Sequence, residues 1–148
     1  MTTQQVETSE ARVVFDRMTE AVMGGKLEDL AGLYAADAVA STPEGEIRGN
    51  EQIVAYLKQF VDAFPDLHWE PLYTHESGNT AVDEGFVVGT HTQPLVMPNG
   101  ETLAPTGRQL RLRECDIVTV EGGRITSHRF YYDQMELLGQ LGVLPPGA

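Results

Sequence analysis

The chain has 148 residues, 41% of them apolar, enough for one hydrophobic core and too rich in apolar residues for a disordered chain. Ten Lys+Arg against 22 Asp+Glu give a formal charge of −12 and a pI near 4.6. No basic face is available for counterion release on nucleic acid or for an anionic membrane surface, so neither is an expected partner.

Helical patterns come first. Ala11, Phe15, Met18 and Val22 share one stripe between Ser9, a candidate N-cap, and the Gly24-Gly25 stop. Leu27, Leu30, Ala31 and Tyr34 have helical spacing and predict a second, short helix ending near Ala36-Asp37. Val39 to Thr42 and Glu46 to Arg48, around Pro43-Glu44-Gly45, read as a small hairpin. A third helix is expected from Asn50 as N-cap, with Ile53, Leu57, Phe60, Val61 and Phe64 on its stripe, until Pro65 forbids continuation.

Strand texture follows: Leu67 to Glu76, a Ser77-Gly78-Asn79 turn, then Thr80 to Thr92. A proline-rich connection from Gln93 to Pro105, with a Pro98-Asn99-Gly100 turn, is long enough to be a functional rim loop. Thr106 to Val120 and Arg124 to Tyr132 predict a hairpin. Asp133 is the expected N-cap of a last helix reaching Leu141, before a tail containing Pro145-Pro146. Helices followed by a run of antiparallel strands imply an α+β domain with a curled sheet, and nothing divides residues 1–148.

Several chemistries lack their residues. Gly24-Gly25-Lys26 misses the earlier glycine and the Ser/Thr of a phosphate-binding loop. His68, His75, His91 and His128 show neither HxH nor HxxxH spacing and no CxxC, so no metal is expected. The single Cys115 lies inside a predicted strand and forms no internal disulfide. The start, Met1-Thr2-Thr3-Gln4-Gln5, has no leader character, and a cytoplasmic protein is the simplest expectation.

The long hairpin carries the candidate chemistry. Leu110, Leu112, Glu114, Asp116, Val118 and Val120 form the apolar face of its first strand, with two carboxylates embedded in it. A three-residue loop at Glu121-Gly122-Gly123 would set Asp116 opposite His128 and Glu114 opposite Phe130; a two-residue loop would set Asp116 opposite Arg129, a structural ion pair. An Asp facing a His in an apolar cavity holds the imidazole in one tautomer for acid–base work. The opposing reading is a solvent-facing pair of polar residues. Trp69, Tyr34, Tyr56, Phe60, Phe86 and Tyr132 are the aromatic stock of the cavity and core.

Leu33-Tyr34-Ala35-Ala36-Asp37-Ala38, Gly49-Asn50-Glu51, Phe64-Pro65-Asp66-Leu67, Gly89-Thr90-His91, Pro105-Thr106-Gly107-Arg108, Gly123-Arg124-Ile125, Asp133 and Gln140-Leu141-Gly142 together resemble the SnoaL-like polyketide cyclase family. That family belongs to the nuclear transport factor 2-like superfamily, which includes the ketosteroid isomerases. The resemblance runs from about Ser9 to Gly142. It implies a cone-shaped α+β barrel of three N-terminal helices in a strongly curved, mainly antiparallel sheet with a short C-terminal helix. It further implies an apolar ligand pocket, commonly a homodimer, no metal and no cofactor.

Residue by residue, the resemblance implies a changed site. The isomerases' proton-shuttling Asp falls at Thr42 before Pro43, their first-helix oxyanion Tyr at Met18, and the cyclases' general acid/base Asp at Phe130. The isomerases' protonated oxyanion Asp aligns with Asp116. The cyclases' His and Gln on that strand fall at Asp116 and Glu114, while His128-Arg129 is retained. The expectation is an isomerase- or cyclase-like enzyme with Asp116 and His128 as the proton-transfer centre. Glu114, His91, Thr42, Phe130, Met18 and Tyr132 would contact an apolar small-molecule substrate. A non-catalytic binding protein and a hydrolase of the same superfamily are the alternatives. Asp133 reads as an N-cap before it reads as a catalytic carboxylate.

Overall fold

A computed structural model describes residues 9–97 and 100–144. The Pro98-Asn99 part of the expected turn, the Pro145-Pro146 tail and the Met1–Gln5 start lie outside them. The elements in chain order are α1 (Glu10–Met23), a 3-10 turn (Leu27–Asp29), β1 (Tyr34–Thr42), β2 (Gly45–Arg48), α2 (Asn50–Ala63), β3 (His68–Ser77) and β4 (Thr80–Thr90). They continue with β5 (Leu95–Val96), β6 (Thr102–Leu103), β7 (Gln109–Glu121), β8 (Arg124–Tyr132) and α3 (Gln134–Gln140). Six strands form one mixed sheet in the order β2-β1-β8-β7-β4-β3, in which only β1 and β8 run parallel.

The helices end where their residues dictate. The Ser9 side chain accepts from the Arg12 amide, and Ala11, Phe15, Met18 and Val22 are all buried. α1 lies across β3, β4, β7 and β8 on the inner face of the sheet. α2 begins one residue earlier than expected, with Gly49 (φ 91°) as the cap, and ends at Phe64. Asp133 caps α3 by accepting from the Met135 and Glu136 amides. Gln140 then pins α3 to β7, its amide accepting from the Arg111 N–H at 2.7 Å and donating to the Arg111 carbonyl at 2.9 Å.

The expected second helix is the main correction to the fold. Leu27–Asp29 makes one 3-10 turn, and the segment that resembles a helix tail, Tyr34-Ala35-Ala36, opens β1 instead. Helical spacing of Leu30 and Tyr34 reflects their burial from a turn and a strand start, with both side chains fully enclosed. Pairing with β8 outweighs the helix propensity of the alanines. There are therefore two helices in the N-terminal half and one at the end. Among the described residues no helix is long and apolar enough to cross a membrane.

The β7–β8 hairpin follows neither expected register throughout. Gly122 and Gly123 (φ 59° and 78°) close a two-residue turn, setting Glu121 opposite Arg124 and Val120 opposite Ile125. A bulge then takes up Thr126, and Thr119 pairs with Ser127. Beyond it Asp116 stands opposite Phe130, Glu114 opposite Tyr132 and His128 opposite Val118.

Candidate functional site

The inner face of the sheet carries a strip of acidic side chains. On β4, Asp83 stands opposite Asp116 on β7, which stands opposite Phe130 on β8. One step along β7 the row holds Glu114 and Tyr132; one step the other way it holds Val118 and His128. Asp83, Asp116 and His128 are buried, and Glu114 is partly so.

Between this strip and the helices lies an apolar cavity. α1 contributes Phe15, Met18 and Val22, α2 contributes Tyr56, Leu57 and Phe60, and Trp69, Leu110, Leu112, Phe130 and Tyr132 come from the sheet. Leu137 of α3 lines it as well. The centre of a water-sized sphere can move through about 80 Å³ of it, room for a few waters or a slim ligand. Glu114 and Asp116 are the carboxylates on its wall.

Burial pushes the Asp116 carboxyl up to about 7, with Asp83 across the strand adding to the rise and the hydrogen bond to Glu114 opposing it. Burial also raises Glu114 well above the usual carboxylate range, and its bond and proximity to Asp116 raise it further. Two carboxyls this close in an apolar wall cannot both ionise, so they keep at least one proton, and once Asp116 ionises Glu114 donates to it. Asp116 Oδ1 still lacks a hydrogen-bond partner among the described residues.

Behind Asp116 lies His128. Its Nδ1 is 2.7 Å from the Tyr34 hydroxyl, and both rings are fully enclosed. Burial drops the imidazole to about 3, against the pull of Glu114, so it is neutral. Burial and Asp116 also raise the Tyr34 phenol, which keeps its proton; an Asp116 carboxylate facing Nε2 favours the Nε2–H tautomer, in which Tyr34 donates to Nδ1. Nε2 lies 3.8 Å from Asp116 Oδ2, beyond hydrogen-bond reach but close enough to feel its charge. On the other side Arg12 of α1 meets Asp83 at 2.8 Å, yet burial still raises the Asp83 carboxyl.

Four sequence-derived assignments need correction. His128 does not reach the cavity: Phe130 stacks on it with ring centroids 3.7 Å apart and forms the wall in its place. His91 also lies away from the cavity, packed on Phe64, with Nδ1 accepting from the Thr106 amide at 3.1 Å. Thr42 belongs to a separate open cleft with Ser41 and Asp133, where its hydroxyl closes the β1–β2 turn by bonding Gly45 and Glu44. Met18, Glu114, Phe130 and Tyr132 do line the cavity. Phe86 is no cavity aromatic; the Arg111 guanidinium covers it at 3.6 Å on the opposite face.

Sequence reading missed Asp83, Arg12 and the site role of Tyr34. Asp83 had a signal, because Ala81, Asp83 and Gly85 alternate with outward residues along β4. Tyr34 had none, since its place depends on the parallel β1–β8 pairing. Among the described residues no group of three His, Cys, Asp or Glu is arranged to hold a metal.

No curated protein sequence matches the chain. Solved structures do. A proposed SnoaL-like polyketide cyclase from Jannaschia sp. CCS1 superposes with a TM-score of 0.81 at 15% identity, covering 98% of this chain and 100% of that one. IdmH, a proposed polyketide cyclase of Streptomyces antibioticus, gives 0.73 at 26% identity over 91% of this chain and 100% of that one. An epoxide hydrolase of the LEH-like type from M. tuberculosis gives 0.68 at 16% identity, covering 90% of each chain. Solved structures with a ketosteroid isomerase-like and a nuclear transport factor 2-like fold superpose with TM-scores of 0.71 and 0.73, and the chain has that fold. The model of the SnoaL-like domain matches residues 15–128, most of the chain and all of the acidic strip, and the protein belongs to the SnoaL-like domain family.

Proposed function

We propose that the protein is a small-molecule enzyme of the cyclase or isomerase type, which moves a proton next to a carbonyl group of an apolar substrate. The observation that carries this reading is Asp116, a carboxyl brought to about 7 on the wall of an otherwise apolar cavity, beside a protonated Glu114. A base half-ionised near neutral pH combines availability with driving force, and a positioned acid/base contributes about 10²–10⁴ in rate. Asp116 takes the carbon-bound proton, and Glu114 holds the neighbouring acid. His128 is a positioning residue: its Nε2–H faces the Asp116 carboxylate and steadies it without touching substrate.

Deuterium exchange into 2-tetralone in D2O, followed by NMR, tests the reading, because this ketone is apolar, compact and acidic next to its carbonyl. Wild type is expected to speed exchange, and Asp116→Asn to remove that acceleration by two orders of magnitude or more. Full exchange in Asp116→Asn would end the proposal.

A hydrolase reading is favoured by the unpartnered Asp116 Oδ1, which offers an acceptor for a water. Oxygen-18 incorporation from water into a diol made from styrene oxide would identify it. We further propose a homodimer that buries the exposed Tyr73, Leu72 and Tyr131, to be measured by light scattering.

A further inference from the structure

Tyr56 and Tyr132 line the cavity, and the proton-transfer reading leaves their hydroxyls without a task. Their oxygens are 2.9 Å apart. The Tyr132 hydroxyl donates to Glu44 Oε1 at 3.3 Å, and the same oxygen accepts from Gln134 Nε2 at 3.2 Å. Glu44 is exposed at the tip of the β1–β2 turn and is no part of the cavity wall.

The chain has a fixed direction. An ionised carboxylate only accepts, so Tyr132 spends its one proton on Glu44. The Tyr56–Tyr132 contact then requires Tyr56 to donate. Burial raises both phenols, so neither loses its proton near neutral pH. Tyr56 is left with lone pairs and no donor for a ligand. Glu114, directly across from Tyr132, has its proton committed to Asp116, so this end of the cavity presents acceptors.

We propose that the Tyr56 oxygen is an acceptor site selecting ligands with a phenolic, enolic or alcoholic O–H between α2 and β8, and that Glu44, outside the cavity, sets its polarity. The substrate class is then an apolar, ring-sized molecule with a free hydroxyl at that end. The inference rests on the cavity being the substrate site, as read above, but needs no turnover.

The test is calorimetric titration with 4-propylphenol and 4-propylanisole, which differ in whether the ring oxygen can donate. Wild type is expected to bind the phenol about tenfold more tightly, the worth of one hydrogen bond. Tyr56→Phe brings the two to near parity by weakening the phenol. Glu44→Lys places a donor-only group at the far end, reverses both hydroxyls and lets Tyr56 donate. It too brings parity, by strengthening the anisole severalfold. Equal binding by wild type, no binding of either probe, or an unchanged tenfold preference in Glu44→Lys would each overturn the inference. Loss of tetralone exchange with the phenol preference intact would remove only the proton-transfer reading.

Discussion

Asp116→Asn is expected to stabilise the protein, and by an amount that depends on pH. The Asp116 carboxyl titrates near 7 in the folded chain, against an ordinary value of 3.8. At 1.36 kcal/mol per pKa unit the folded state favours the protonated form by roughly 4 kcal/mol. Below pH 3.8 both states are protonated and the group costs nothing. As pH rises towards 7 the unfolded chain has released its proton and the folded chain has not, so this contribution to stability falls throughout that window. His128 acts in the opposite direction: with a folded value of about 3 against 6.5, it removes stability as pH falls from 6.5 towards 3. Between about pH 4 and 6.5 these two slopes nearly cancel each other, and the raised Glu114 and Asp83 carboxyls leave wild type losing stability as pH rises there. Asparagine has the shape of the neutral acid and removes the Asp116 slope, together with the further rise that Asp116 imposes on Glu114. Urea unfolding of both proteins at pH 5 and pH 8 should show the advantage of Asp116→Asn growing by roughly 2–3 kcal/mol across that interval. A ΔΔG independent of pH would refute the burial argument, and with it the idea that Asp116 is poised near neutrality.

Tyr34→Phe leaves a buried imidazole nitrogen without its donor, and a loss of about 1–3 kcal/mol is expected in urea unfolding. Nitrogen-15 shifts of His128 should report a pure Nε2–H tautomer in wild type and lose that purity in the variant. Gln140→Ala removes both bonds that hold α3 to Arg111 and should cost about 1–2 kcal/mol, with faster amide exchange at Leu137. Gly85→Ala would place a methyl 2.4 Å from the Glu70 carbonyl oxygen and 2.7 Å from the Trp69 ring, and a loss of about 1–3 kcal/mol should appear with altered Trp69 emission.

The features readable from the sequence were those with local causes. Ser9 and Asp133 cap helices because a short polar side chain reaches free amides nearby, and the buried stripe of α1 follows from its own spacing. The even face of β7 turns inward because Leu110, Leu112, Val118 and Val120 have nowhere else to go. Leu27 to Asp37 was misread because helical spacing over two turns is also met by a 3-10 turn leading into a strand, and only the distant β8 decides between them. His91 and Thr42 are polar residues near the right strands, but their partners are local turns, which the sequence does not distinguish from a cavity.

The hairpin shows why site geometry is less legible than fold. A two-residue turn alone would put odd residues of β8 opposite even residues of β7, so Arg129 would face Asp116 inside the sheet and His128 and Phe130 would point outward. Thr126 prevents this. By adding one residue to β8 it moves Phe130 and Tyr132 onto the carboxylate face, and sends Arg129 to a position opposite Ile117. A guanidinium beside Asp116 would hold that carboxyl ionised and low; without one, burial raises it to about 7. Arg12, which α1 brings to this face, is occupied by Asp83 and spares Asp116. The chemistry available to the cavity therefore turns on a bulge residue that never touches it. Its signal in the sequence, a threonine in a run of strand-forming residues, is one that any unbulged strand also carries.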